Sequence, residues 1–166
     1  MADIPDDDLS RVLVVRDVKE ALHLGVAGDT YTMLLGGDDT AGRYCLIDMH
    51  VPPGGGPPPH RHDFEETFTL LEGELEFTFR GSTRRARGGE TVHIPANAPH
   101  RFENKDETAA RMLCICSPAG QEGFFREVGV AVGGSTEAPP RLEGEALKAV
   151  QKKALELAPK YRTELL

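Results

Sequence analysis

Apolar and polar residues alternate in short bursts along most of this chain. From about Leu22 to Val132 the apolar runs are brief and are separated by Gly, Pro and Asp clusters, the pattern of half-buried strands. Leu75, Phe77 and Phe79 alternate with Glu74, Glu76, Thr78 and Arg80, giving one strand an inner and an outer face. Further strands are predicted at Thr30–Leu35, Arg43–Val51, Thr67–Leu71, Thr83–Arg87, Thr91–Pro95, Arg101–Glu103 and Arg111–Ser117. Gly36-Gly37-Asp38-Asp39 reads as a loop, and Glu72-Gly73 as a hairpin turn. Pro52–Pro59 suits neither a helix nor a central strand and reads as an irregular loop.

Near the C-terminus the period changes. Leu147, Val150, Ala154 and Leu157 recur at steps of three and four, the stripe of an amphipathic helix over Gly144–Ala158 that should stop at Pro159. The helix is expected to pack on the outside of the β domain or on a partner chain. The fold class is therefore all-β with a C-terminal amphipathic α-helix. The β domain is placed at 22–132 and the linker and helix at 133–166, with the N-terminal segment 1–21 part of the same domain.

The 166 residues are enough for one domain with a real core. A formal net charge of −8 leaves no basic stripe for phosphates, so no nucleic-acid partner is expected. Arg84, Arg85 and Arg87 lie close to Glu74, Glu76 and Glu90 and read as a solvated hairpin. No apolar run approaches a bilayer-spanning length, and the acidic opening MADIPDDDLS is unlike a secretory signal. Cys45, Cys114 and Cys116 are an odd set without disulfide-framework spacing. A soluble cytoplasmic protein with no membrane partner is expected.

The chemistry concentrates in four residues. His60 and His62 stand at i and i+2, so an extended backbone aims both imidazoles one way. The same parity continues to Glu66, which shares a face with Phe68 and Leu70, where a carboxylate is costly unless paired or ligated. His100 arrives from a turn-rich stretch, Ile94-Pro95-Ala96-Asn97-Ala98-Pro99, with Phe102 sharing its inward parity. Three imidazoles and one carboxylate suit one divalent first-row metal, with open positions left for a small-molecule substrate. Iron is favoured, and Mn, Ni, Zn or Cu fit the same donors. His23, His50 and His93 lack such support and are read as non-ligands.

These residues lie in two longer patterns, Gly54-x5-His60-x-His62-x3-Glu66-x6-Gly73 and Gly89-x5-Pro95-x-Asn97-x2-His100-x3-Asn104. Both resemble the two motifs of the cupin superfamily, with Asn97 where the second motif has Gly; Asn is the next most tolerant residue at positive φ. The chain is similar to small single-domain cupins named after quercetin dioxygenase. The resemblance implies an antiparallel jelly-roll barrel, usually dimeric, so a homodimer is expected. It also implies ligand roles for His60, His62, Glu66 and His100, and scaffold roles for Gly54, Gly73, Gly89, Pro95 and Asn104. It supplies no catalytic acid or base.

A predicted apolar interior, including Phe68, Leu70, Phe77, Phe79, Val92, Ile94 and Phe102, suits an aromatic or diketone-like substrate. Met112, Cys114 and Cys116 are read as core packing. Phe124 and Phe125 are placed either as a lid or as closure of the core. The leading function is a metal-dependent dioxygenase. The alternatives are an isomerase or lyase using the metal as Lewis acid, or a non-catalytic binding or sensing module. The Lewis-acid reading needs a general base, for which Glu65, Tyr31, Tyr44 and His50 are the candidates.

Overall fold

A computed structural model describes residues 3–166; Met1 and Ala2 of the N-terminal segment lie outside the described residues. In chain order the strands are β1 (Leu22–Val26), β2 (Asp29–Leu35), β3 (Cys45–Val51), β4 (His60–His62), β5 (Glu65–Glu72) and β6 (Glu74–Phe79). They continue with β7 (Ser82–Arg87), β8 (Thr91–Ile94), β9 (His100–Glu103), β10 (Ala110–Ser117), β11 (Val130–Ala131) and β12 (Thr163–Leu165). Every pairing is antiparallel, in one sheet ordered β11-β1-β2-β3-β10-β5-β8 and another ordered β12-β4-β9-β6-β7. The two sheets form the walls of a jelly-roll barrel.

The alternation read from the sequence sets what faces inward. Phe68, Leu70, Leu75, Phe77, Ile94, Phe102 and Met112 are buried between the sheets, with Phe79 and Val92 packed at their margin. Phe68 meets Phe77 and Phe102 at ring-centroid separations of 5.6 and 5.5 Å, so one end of the barrel is filled with aromatic rings. Truncating such a buried ring costs about 3–5 kcal/mol. The hairpin joining β5 to β6 turns at Gly73, where φ is 73° and a Cβ would stand 2.8 Å from Ala110 Cα. No larger residue fits that crossing.

Three helical pieces complete the chain: α1 (Gly37–Thr40), α2 (Gln121–Val128) and α3 (Gly144–Leu157). The expected Gly-Gly-Asp-Asp loop is thus a single helical turn, its start held by the Asp39 carboxylate accepting from Gly36 N–H at 2.9 Å. Pro159 does not end the C-terminal helix outright. Residues Ala158–Tyr161 continue as a 3-10 turn, because a proline early in a new turn lacks only a donor that has no partner there. The chain then returns as β12 and pairs with β4, placing Thr163 opposite His62 and Leu165 opposite His60. Among the described residues no helix is long and apolar enough to cross a membrane.

Candidate metal centre

Backbone register brings the two motifs together. His60 on β4 is the register partner of His100 on β9, and Glu66 on β5 enters from the other sheet. Local bonds lock this meeting. Asn97 has a φ of 69°, as the glycine position of the motif requires, and its N–H donates to the His62 carbonyl at 2.6 Å. Buried Asn104 donates its side-chain amide to the Val51 carbonyl at 2.9 Å and accepts Gly54 N–H on its own carbonyl at 2.8 Å. The turn after β8 is thereby fastened to β4, and the end of β9 to the loop before it.

The ligand-type atoms of His60, His62, Glu66 and His100 all lie within 4.8 Å of one another. Each imidazole uses Nδ1 on a nearby carbonyl at 2.9 Å: His60 on Pro58, His62 on Phe64, His100 on Ala98. A carbonyl oxygen can only accept, so Nδ1 carries the proton in all three rings and Nε2 of the neutral ring presents a lone pair. His62 is further fixed by stacking on Phe64, with centroids 3.8 Å apart and planes within 4°.

Glu66 Oε2 lies 2.9 Å from His62 Nε2 and 3.1 Å from His100 Nε2. With Nδ1 already protonated, these are acceptors facing acceptors, and a cation must stand between them, either a proton or a metal ion. Burial pushes the Glu66 carboxyl up, but where a proton bridges the pairs, donation from Nε2 of His100 and His62 outweighs it and holds the group below its ordinary range. Burial and the neighbouring His100 push His60 down to about 4, hence neutral. Neutral imidazoles and an ionised carboxylate are the ligand forms of both groups. Donors in an octahedron with ~2.1 Å bonds lie ~3.0 Å from their neighbours, matching the separations around Glu66 Oε2. The donor set fits a divalent cation.

One side of this cluster is open to a cavity of about 750 Å³ that His60 and Glu66 line directly. Its walls are mostly apolar: Met49 and Phe102 from the sheets, Phe124 and Phe125 from α2, Val150 and Ala154 from α3. Phe124 and Phe125 are therefore a side wall of the cavity. The apolar stripe of α3 faces this space across the barrel mouth. Phe68, Leu70 and Phe77 fill the opposite, closed end and do not touch the cavity.

Of the base candidates, Tyr31 alone lines the cavity. Glu65 is exposed and pairs with His93 at 2.9 Å, Tyr44 is exposed, and half-buried His50 is off the cavity wall. Tyr31 O–H donates to Asp29 Oδ2 at 3.1 Å, and Gly56 N–H donates to Asp29 Oδ1 at 3.0 Å. Asp29 is fully buried, and burial pushes its carboxyl up to about 7 against those two bonds. Burial, followed by the charge of Asp29, raises Tyr31 well above its ordinary value.

Asp29 escaped the sequence reading. The signal available was its i, i+2 parity with inward-facing Tyr31. Cys114 and Cys116 also do more than fill space: Cys114 Sγ lies 3.2 Å and Cys116 Sγ 3.7 Å from Glu66 Oε1. Burial pushes the Cys114 thiol up to about 12, so it keeps its proton. His23 is buried against Thr32 at 2.8 Å, and exposed His93 pairs with Glu65 outside the cluster.

Residues 47–116 match the family model described as Cupin domain. The chain is 25% identical over 130 residues to quercetin 2,3-dioxygenase of Bacillus subtilis (strain 168), covering 78% of this chain and 37% of that protein. It also spans less than two thirds of the length of two further curated relatives. It is 31% identical over 132 residues to polyketide synthase CurC of Streptomyces cyaneus, covering 78% of this chain and 79% of that one. Among solved structures, the polyketide cyclase RemF from Streptomyces resistomycificus superposes with a TM-score of 0.58 at 22% identity, covering 84% of this chain and 94% of that chain. With both motifs intact on a jelly-roll barrel and a relative matched over most of its length, the chain belongs to the cupin family.

Proposed function

We propose that this cupin is a metal-dependent enzyme that acts by Lewis-acid chemistry on a carbonyl or enol oxygen of a flat, largely apolar substrate. His60, His62, Glu66 and His100 would hold the metal, with iron the first candidate and Mn, Ni, Zn or Cu accepted by the same donors. A bound divalent cation would polarise the substrate oxygen and make the adjacent C–H bond acidic. The observation that carries this reading is Tyr31 on the cavity wall, backed by buried Asp29, because the pair supplies the proton acceptor that enolisation requires.

The pair can serve as that acceptor. Tyr31 takes the substrate proton on its oxygen while its own proton passes along the 3.1 Å hydrogen bond to Asp29. A carboxyl held near 7 suits such a role at neutral pH. The apolar walls exclude water and favour aromatic or diketone-like substrates. CurC, the relative matched over most of its length, is named a polyketide synthase. Polyketides carry carbonyls in 1,3-relation, whose enol forms are good ligands for divalent cations. A cyclisation, isomerisation or lyase step on such a compound is the reaction class.

Oxygenation is the second reading, favoured by the mixed imidazole–carboxylate donors and the likeness to quercetin 2,3-dioxygenase. Turnover of 1,3-diketone and aromatic polyketide substrates by metal-loaded protein, with and without oxygen, separates the two. Equal rates in both atmospheres support the Lewis-acid reading. Strict dependence on oxygen, with stoichiometric uptake, removes it.

The N-terminal arm leaves Leu9, Val12, Leu13 and Val15 exposed on this single chain. That supports the expected homodimer, in which a second copy covers them. The three cysteines are free and buried, which supports a reducing, cytoplasmic setting.

A further inference from the structure

The two oxygens of Glu66 keep different company. Oε2 faces the imidazoles of His62 and His100, at 2.9 and 3.1 Å. Oε1 points the other way, into the sheet, where its partners are sulfur atoms: Cys114 Sγ at 3.2 Å and Cys116 Sγ at 3.7 Å. The register explains this. β10 pairs with β5 so that Cys116 lies opposite Glu66 and Cys114 opposite Phe68, and both thiols share the inward face with the carboxylate. Cys45 stands across β10 from Cys116 and has no hydrogen bond to Glu66.

We propose that Cys114 is a positioning residue for the metal carboxylate: its S–H donates to Glu66 Oε1 and leaves Oε2 alone to meet the ion. The proposal rests on the metal-binding reading of the four-residue cluster. A carboxylate can grip a cation through one oxygen or two. In an apolar interior, an oxygen without a donor turns toward the nearest positive charge, which here is the metal site. The thiol donor removes that incentive for Oε1, keeps Glu66 attached at one point, and so keeps a coordination position free for substrate. Cys116, half an ångström farther away, backs the same oxygen less directly.

The test loads metal-free protein with Co(II), whose visible absorption reports coordination number, and measures affinity by chelator competition. Wild type, Cys114→Ala, Cys114→Ser and Cys45→Ala are compared, with far-UV circular dichroism to show that each is folded. Partners behind a metal ligand are typically worth 10–100-fold in affinity, and thiols are weak donors, so Cys114→Ala should weaken cobalt about tenfold. Its spectrum should shift toward higher coordination number. Cys114→Ser should recover much of the wild-type spectrum because a hydroxyl also donates, and Cys45→Ala should match wild type. A Cys114→Ala protein with unchanged affinity and spectrum overturns the proposal, and so does an equal shift in Cys45→Ala, which would assign the effect to packing. No cobalt uptake by wild type would instead refute the metal-binding reading and the positioning role with it.

Discussion

His60 and His100, from separate motifs, face each other across β4 and β9 with ring centroids 4.3 Å apart. Each Nδ1–H is already committed to the Pro58 or Ala98 carbonyl, so a ring carrying that one proton has none to give Glu66. The strand pairing thus builds a cluster of lone pairs in a buried place, and only a cation makes that arrangement favourable.

Removing one donor should cost metal without costing the fold. His62→Ala and His100→Ala are each expected to lower metal affinity by at least about 100-fold, more than loss of a supporting partner does. Elemental analysis after dialysis, beside an unchanged far-UV circular dichroism spectrum, checks this. Full metal occupancy in His62→Ala would remove that residue from the ligand set.

Asp29 should tie stability to pH. Its carboxyl is raised from an ordinary 3.8 to about 7 by burial, so between those values the folded protein holds a proton that the unfolded chain has released. That stabilisation is complete below about pH 4 and is lost as pH rises through 7, amounting to about 4 kcal/mol. Asp29→Asn, neutral at every pH, is expected to melt about 10 °C above wild type at pH 8, about a third of that above it at pH 5 and close to it at pH 4, both proteins metal-free. Comparing the two cancels His60, whose lowered value of about 4 acts in the opposite direction, favouring the folded state as pH rises. Equal melting shifts at pH 8 and pH 4 would show that Asp29 ionises normally.

Tyr31→Phe removes the hydroxyl and keeps the ring that packs edge-on against Phe125 at 4.9 Å. Turnover is expected to fall by about 10²–10⁴-fold with metal content unchanged, the size of a general acid–base contribution. The limb of the pH–rate profile near 7 should vanish with it. A variant retaining wild-type kcat would leave proton transfer to another group.

Much of this protein was legible in its residues, because alternation and donor type are local properties. β6 shows its inner face in five letters, parity puts His60, His62 and Glu66 on one face, and the spacing of the second motif adds His100 to them. What depended on register stayed hidden. The thiols gain their meaning only once Cys116 is known to lie opposite Glu66. Strand β12 is three residues long, and its pairing with β4 follows from where the 3-10 turn delivers the chain. Helix α2 is too short for its period to stand out between Pro118 and Gly129, so Phe124 and Phe125 could be read either way.

The glycines make the same point. Motif residue Gly54 has open space around it, whereas at Gly56, outside the motif, a Cβ would stand 2.1 Å from the Phe102 carbonyl at a φ of 128°. Gly56→Ala is expected to push β9 away from the loop and lower stability by about 3 kcal/mol or more, with metal affinity falling alongside. Denaturant unfolding measures the first effect and chelator competition the second. Wild-type values in both would show that the loop can yield there freely.

The most direct test is a crystal of the protein grown with Fe, Mn, Ni, Zn or Cu, recorded at the absorption edge of that metal. Anomalous density is expected between the four side chains, ~2.0–2.2 Å from each histidine Nε2 and from Glu66 Oε2. A fully loaded solution sample whose crystals place the metal elsewhere, with Glu66 and the imidazoles bridged by protons alone, would contradict the assignment of this cluster as the metal centre.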